Sequence, residues 1–432
     1  MTRPAPARPA LLRTVSRGQL VGLAVNDVVG SGIFLLPAAA AALLGAGSIL
    51  GVVLAGLAVA LLVLCFAEAA TYFDEPGGAY LYTREAFGRF VGFEVGWMTW
   101  LARLASVASL ANGFALAVSF LWPAAAAGAP RAVIATALIA LLTWLNVLGV
   151  RHGAAAAVAL VVAKLVPLAV FVAVGIFFVN WLRVAAVEPP SAGALGEAAL
   201  LLLFAYAGFE NTPAAAGEYR NPRRDVPFAL LVMILAVTLL YAAVQLVAVG
   251  TLPGIAQAEA PLAAAAGTFL GAGGAWLMTV GGVVSIAGNM GNTVLMGPRY
   301  LYALARDGYG PAVLAGVHPE HRTPAAAIVT SSTLALALAL TGSFVQLAML
   351  SVVARLVTYV GTAAAVPILR RRFGGRPGAW RLPGGATIPT LALLVSLALL
   401  ASAAWGNLAA GAAALAAGAV VYRLRRGAAR GA

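Results

Sequence analysis

The sequence predicts an all-α membrane protein with twelve transmembrane helices. Of its 432 residues, 62% are hydrophobic and only 9% are charged. Soluble domains carry nearer one-quarter charged residues, so this chain has too little polar surface to cover a water-soluble globule. An intrinsically disordered chain is excluded for the same reason. The apolar stretches run for about 20 residues without alternating at every second position, which favours helices over an outer-membrane barrel.

Twelve apolar segments are long enough to be read as spans, and the chain between them is too short to form a soluble domain. They cover residues 20–43, 46–72, 88–121, 131–149, 153–180, 195–216, 226–250, 270–305, 324–341, 344–369, 386–404 and 407–422. The longest predicted loops are 181–194 and 251–269. We therefore expect a tail over 1–18 and a single transmembrane domain over 19–432.

The arginines predict the orientation of the chain. With the N-terminus inside, 22 basic residues fall in the tails, in the inner loops or at the inner helix ends, and only Arg131 and Arg183 fall outside. An excess of basic residues marks the cytoplasmic side, so both termini are expected in the cytoplasm. The preference for arginine over lysine, together with the many alanines, suggests a bacterial source and hence the inner (plasma) membrane.

Two predicted helices, the first and the sixth, carry matching interruptions. Residues 30–40 read GSGIFLLPAAA, residues 207–216 read AGFENTPAAA, and the glycine-to-proline spacing is the same in both. Glycine and proline weaken a helix and free backbone N–H and C=O groups. Such groups at a broken helix bind the carboxylate and ammonium of an amino acid in transporters built from inverted repeats. The alternative is that these glycines only allow close helix packing.

Several motifs resemble the amino acid–polyamine–organocation (APC) superfamily along nearly the whole chain. Besides the first helix, they are FAYAGFE at 204–210, GEYRNP at 217–222, EPGGAY at 75–80 and ARDG at 305–308. The resemblance implies the LeuT-type fold of five plus five inverted-repeat helices, over about 19–180 and 195–369, with two further helices over 386–422. More distantly, the chain is similar to the bacterial arginine/agmatine antiporters.

The resemblance also implies a substrate site between the broken helices. The substrate-binding residues it implies are Asp27, Gly30, Ser31, Gly32, Ile33, Arg103, Phe204, Tyr206, Ala207, Gly208, Asn292 and Ser351. Phe204 and Glu210 match gating positions. Asn292 replaces the aromatic partner of a guanidinium in the antiporters, and Arg103 replaces a small side chain. Both departures argue against an arginine substrate.

Charged residues inside membrane spans are costly and are functional candidates by default. Five lie well inside predicted spans, namely Asp27, Arg103, Lys164, Glu210 and Arg355. The arginines are expected to pair with the carboxylates, in an order that the sequence leaves open. Lys164, the only lysine, is expected to carry protons with Glu210. The alternatives for Lys164 are simple packing or, as the resemblance implies, a fixed cation in the place where sodium-coupled relatives bind sodium.

The sequence therefore predicts a secondary active amino-acid transporter, which takes up neutral amino acids with protons by alternating access. The alternatives are an amino-acid exchanger, a polyamine or acidic amino-acid transporter, and a non-transporting membrane sensor. We expect no enzyme, metal or cofactor, because the three histidines lie in predicted loops and the spans offer no nucleophile–base pair. The expected partners are the substrate, protons and the lipid bilayer, but no nucleic acid. The sequence leaves the oligomeric state open.

Overall fold

The computed structural model describes residues 15–74, 77–149, 154–214, 216 and 219–428. Most of the predicted tail, residues 1–14, lies outside the described residues. So do parts of the quoted motifs and of one predicted inner loop, namely Glu75, Pro76, Gly217, Glu218, Arg151 and His152.

The described part of the chain consists of helices and short connections, with one isolated backbone bridge and no β-strand. The helices are α1 Arg17–Val28, α2 Ser31–Leu44, α3 Ser48–Ala70, α4 Gly78–Phe87, α5 Arg89–Ser119, α6 Gly128–Val147, α7 Ala154–Gly175, α8 Trp181–Ala185, α9 Ala192–Tyr206, α10 Asn211–Ala214, α11 Pro222–Thr251, α12 Pro261–Leu304, α13 Ala325–Thr341, α14 Phe344–Phe373, α15 Thr387–Ala401 and α16 Trp405–Ala428. The prediction of an all-α protein is confirmed.

Eight stretches of helix in the described part are long and apolar enough to cross a membrane. Three more helices, α9, α13 and α15, are apolar but shorter. Each of the twelve predicted segments overlaps one or two helices of the structure. The chain is thus a multi-pass membrane protein, and the count of twelve spans stays a prediction.

Three predicted loops contain helices: α4 lies between the second and third predicted segments, α8 lies in 181–194, and the first part of α12 lies in 251–269. Residues 251–269 were expected to connect two helices, but α12 begins at Pro261 and continues past a kink at Gly271, where φ is +63°. Proline is favoured in the first turn of a helix, where its missing N–H has no intrahelical partner to lose. Glycine adopts the left-handed backbone at the kink without steric cost. The predicted span over 270–305 therefore covers the helix only from the kink onward.

Both predicted interruptions break their helices. Between α1 and α2, Val29 and Gly30 leave the helical path, and Gly30 has φ −135° and ψ −141°. Helix α9 ends at Tyr206 and α10 begins at Asn211, so residues 207–210 are not helical. The two interruptions therefore provide non-helical backbone inside the buried centre of the molecule.

The start of α1 is tied to the segment before α11. Val15 forms the isolated backbone bridge with Tyr219, and Arg17 Nε donates to Asp225 Oδ1 at 2.7 Å. These contacts connect the start of the first broken helix to the segment that follows the second broken helix. The single cysteine, Cys65, lies on α3 and is only 1% exposed.

Candidate functional site

The two breaks face each other in the structure. The Tyr241 hydroxyl of α11 lies 3.2 Å from the carbonyl oxygens of both Val28 and Ala205, one at each break. Gly208 has φ +129°, and a Cβ placed on it would lie 2.3 Å from the Asp27 carbonyl oxygen. The backbone segments therefore approach each other as closely as glycine permits.

A small cavity of about 20 Å³ lies where the breaks meet. It is lined by Asp27, Val28, Gly30, Ser31, Gly32, Arg103, Ser106, Leu110, Phe204, Ala207, Gly208, Asn211, Asn289, Asn292, Thr293 and Arg355. Nine of the twelve substrate-binding residues expected from the sequence are in this lining. The volume is close to that of a single water molecule, so a larger ligand requires the walls to move apart.

Three expected residues do not line the cavity. Ile33 is 4% exposed and belongs to the apolar core. The Tyr206 hydroxyl points away and donates to the Val52 carbonyl oxygen at 3.0 Å. Ser351 lies behind Arg355, where its hydroxyl donates to the Ala102 carbonyl oxygen at 3.0 Å and accepts from Arg355 Nε at 3.2 Å. Ser351 therefore holds a lining side chain in place.

Seven lining residues were missed as site residues, although the sequence carries a signal for some of them. Asn289 and Thr293 stand three residues before and one residue after Asn292, on one face of α12. Ser106 follows Arg103 by three residues on α5, which places both on the same face. Polar residues at helical spacing in an apolar helix indicate a polar face. Arg355 was considered only as an ion-pair partner.

Glu210 is the centre of a buried charge network. Its Oε1 accepts from Arg103 Nη2 at 3.2 Å and is also paired with Arg355 Nη1. Its Oε2 accepts from the Gly208 amide at 3.0 Å and from the Tyr359 hydroxyl at 3.3 Å. Both arginine side chains and the carboxylate are at most 6% exposed. The ion-pair partners that the sequence left open are thus resolved, since both arginines share Glu210.

The second carboxylate has a different partner. Asp27 Oδ1 accepts from Asn292 Nδ2 at 2.5 Å, and the neighbouring Asn289 Nδ2 donates to the Asp27 carbonyl oxygen at 2.9 Å. Two amide side chains of α12 therefore hold the end of α1 from one side of the cavity.

Lys164 holds the first break from behind the cavity. Its ammonium donates to the carbonyl oxygens of Asn26 and Val29, at 3.1 and 3.0 Å. These carbonyls lie at the end of α1, where the helix break leaves them without helical partners. The hydroxyl of Ser285, on α12, lies 3.4 Å from the same Val29 oxygen. Lys164 is fully buried, so it connects α7 to the break and does more than pack.

Phe204 lines one side of the cavity. Its ring packs edge-on against Phe344, with 6.0 Å between the ring centres and 84° between the planes. Phe344 begins α14, and its carbonyl oxygen accepts from the Ser109 hydroxyl at 2.8 Å. The two rings thus pack together at one side of the cavity. Across the part of the chain that the structure describes, no three His, Cys, Asp or Glu side chains are grouped as metal ligands.

The glycines at the breaks give a direct test of this geometry. A Cβ on Gly32 would lie 2.5 Å from the Ala205 Cα, so we expect Gly32→Ala to destabilise the protein by about 1–3 kcal/mol. Gly208→Ala also strains the backbone, because alanine rarely adopts the left-handed conformation of Gly208. We expect it to destabilise the protein by at least the same amount. Melting temperatures in detergent would measure both effects.

Gly22→Ala is the matched control for this test. Gly22 lies inside α1 with no atom within 4 Å of the added Cβ, so the change is expected to be neutral or stabilising. Equal melting temperatures for all three variants would show that the close approach of the two breaks is not present in the protein.

Comparison with known proteins gives the family. A family model described as "Amino acid permease" matches residues 16–421. The branched-chain amino acid permease BcaP of Bacillus subtilis (strain 168) is 29% identical over 405 residues, covering 87% of this chain and 84% of that protein. The serine/threonine exchanger SteT of the same strain is 30% identical, covering 84% of each chain. The methylthioribose transporter of that strain is also 30% identical, covering 73% of this chain and 72% of its own.

Proposed function

This chain belongs to the amino acid permease family, and from that premise we propose that it is a secondary active transporter, which takes up amino acids with protons by alternating access. The observation that carries the proposal is the cavity at the meeting point of two broken helices. The relatives named above are transporters and not enzymes, in keeping with this role. A non-transporting sensor is the alternative of another class.

The proposed architecture is the LeuT-type fold with twelve spans. The paired breaks support it, because they interrupt the first helix of each proposed repeat, over 19–180 and 195–369. Helices α15 and α16 follow the second repeat as the two additional spans. The distribution of arginines supports cytoplasmic termini in a bacterial inner membrane.

The proposed substrate site binds the zwitterionic end of an amino acid. The amides of Ser31 and Gly32 start α2, where the helix dipole favours a carboxylate. The Ser31 hydroxyl is buried without a hydrogen-bond partner among the described residues and is therefore available to the same carboxylate. The carbonyl oxygens of the non-helical segment at 207–210 are suited to an ammonium group. Closure by Phe204 completes the site.

Proton coupling is proposed for Lys164 together with Glu210. A buried ammonium on carbonyl oxygens can lose its proton when the carbonyls move away, since desolvation disfavours the charged form. Glu210 connects α5, α14 and the second break, so a change in its charge acts on the gate. Exchange is the second candidate, because one relative is by name an exchanger. A polyamine substrate is disfavoured, because it would add positive charge beside two buried arginines.

The side chain of the substrate is the finer question. The sequence favours neutral side chains, and the names of the branched-chain and serine/threonine relatives support that prediction. Acidic side chains are the alternative that the two cavity arginines support. A cationic side chain is disfavoured by the same arginines.

The test is uptake of radiolabelled amino acids and polyamines into proteoliposomes in sodium-free buffer, with and without an acidic exterior. We expect an amino acid to accumulate only with the acidic exterior, and a protonophore to abolish the accumulation. Protein-free liposomes are the control. Uptake only into preloaded vesicles would replace symport by exchange, and no uptake of any compound would favour the sensor.

A further inference from the structure

The charges around the cavity do not balance. Arg103 and Arg355 line it, are 2% and 5% exposed, and share the single carboxylate of Glu210. Asp27 and Lys164 lie at the first break as one further anion and one further cation. The five groups therefore carry one positive charge in excess, and the excess lies on the α5 and α14 side.

A neutral amino acid would leave this excess in place. Its ammonium and carboxylate cancel, so binding adds no net charge to the site. A buried charge without a counter-charge is costly, whereas a paired and hydrogen-bonded one is tolerated. A second carboxylate on the substrate would bring the balance of the occupied site to zero.

A hydrogen-bond donor is available for that carboxylate. Arg103 Nη2 donates to Glu210 and to the Asn211 side-chain oxygen, but its Nε has no partner among the described residues. The Ser106 hydroxyl accepts from Arg355 Nη2 and donates to Ser351 Oγ, both at 2.8 Å, so the free donor on this wall of the cavity is the Arg103 Nε. Arginine presents its donors in a fork that fits a carboxylate, so this wall is suited to one.

The lining offers little to an apolar side chain. Only Val28, Leu110, Phe204 and Ala207 contribute apolar side chains among its sixteen residues, and the remainder are polar, charged or glycine. The Phe204 ring packs against Phe344, so few apolar contacts remain for a branched side chain. Hydrophobic pockets recognise apolar ligands through a predominantly apolar lining, which this cavity lacks.

From these observations we infer that the substrate is an acidic amino acid, whose side-chain carboxylate is bound by Arg103. The inference rests on the proposed transport function and names the substrate class of the same site. The zwitterionic end keeps the place proposed above, at the start of α2 and the second break. The side chain then extends toward α5 and α14.

The decisive comparison uses pairs of isosteres. The full chain in proteoliposomes is given radiolabelled aspartate and asparagine, glutamate and glutamine, and also leucine and serine. We expect one acid to be taken up roughly ten- to a hundredfold better than its amide, the effect of a hydrogen bond to a charged group. Leucine or serine as the best substrate would overturn the inference and leave the transport function standing. No uptake of any amino acid would overturn the proposed function and the inference with it.

Variants of Arg103 identify the residue that binds the acid. Arg103→Gln is expected to lower the acid-to-amide ratio toward one, and Arg103→Lys to retain part of the preference. Arg131→Gln is the matched control, because Arg131 lies outside the cavity with its guanidinium 3.4 Å from the Gly342 carbonyl oxygen. An unchanged ratio in Arg103→Gln would overturn the assignment.

A second measurement needs no variant at all. The melting temperature of the unaltered protein in detergent is expected to rise more with aspartate or glutamate than with the matching amide, because a ligand that binds only the folded state stabilises it. Equal shifts for acid and amide would contradict the inference.

Discussion

Replacing Lys164 with alanine is expected to abolish uptake driven by a proton gradient, while part of the substrate exchange survives. The ammonium is buried against the carbonyl oxygens of Asn26 and Val29, at 3.1 and 3.0 Å. Alanine removes the group that is proposed to release a proton and takes away the ammonium donor of both carbonyls, leaving Val29 with only the Ser285 hydroxyl at 3.4 Å. Exchange needs the site to open and close but needs no net proton movement, so it is affected less.

Lys164→Arg separates the two roles considered for this residue. Arginine keeps a positive charge at the break and does not lose its proton in proteins. If Lys164 carries protons, the arginine variant should lose gradient-driven uptake as the alanine variant does. If Lys164 is a fixed cation, the arginine variant should keep gradient-driven uptake. Radiolabelled uptake with and without an imposed gradient measures both, and intact uptake by Lys164→Ala would refute the coupling role.

Glu210→Gln is expected to cause the largest loss of stability, about 3–5 kcal/mol. Glutamine has nearly the same shape but no charge, so Arg103 and Arg355 would face each other in the buried network without a counter-charge. The melting temperature in detergent should fall well below that of the unaltered protein, and uptake should be lost. The matched control is Glu188→Gln on the exposed loop after α8, for which no change is expected.

A double substitution tests the reason given for that loss. Removing one arginine together with the carboxylate, as in Glu210→Gln with Arg355→Gln, lowers the unpaired charge to one. Part of the lost stability should therefore return, which a double-mutant cycle would measure as a coupling energy. Strictly additive effects of the two changes would mean that the ion pair does not determine stability.

The sequence predicted the helical class and both helix breaks because these depend on local properties. The breaks are encoded in the glycines and prolines at 30–40 and 207–216, whose effect on the backbone extends over a few residues. The resemblance then placed most of the expected site residues in the lining of one cavity. Local pattern and family together therefore predicted most of the residues that line this cavity.

The ion-pair partners of the buried charges could not be predicted from the sequence, because they depend on packing between segments that are distant along the chain. Arg103 and Glu210 are separated by 107 positions along the chain. Arg103 pairs with Glu210 and not with Asp27 because α5 faces the second break. Ser351 was assigned to the site by resemblance, but its hydroxyl binds the carbonyl oxygen of Ala102 behind the lining. The predicted loop over 251–269 missed the first part of α12, which lies before the kink at Gly271.

The burial of Cys65 determines how the motions of this protein can be measured. A thiol that is 1% exposed inside α3 is poorly accessible to maleimide dyes and spin labels, and it is the only thiol in the chain. A reporter cysteine introduced on an exposed surface should therefore react selectively in the otherwise unaltered sequence. Pairs of such reporters, one at the start of α1 and one at the start of α11, would follow opening and closing by spectroscopic distance measurement without a cysteine-free background.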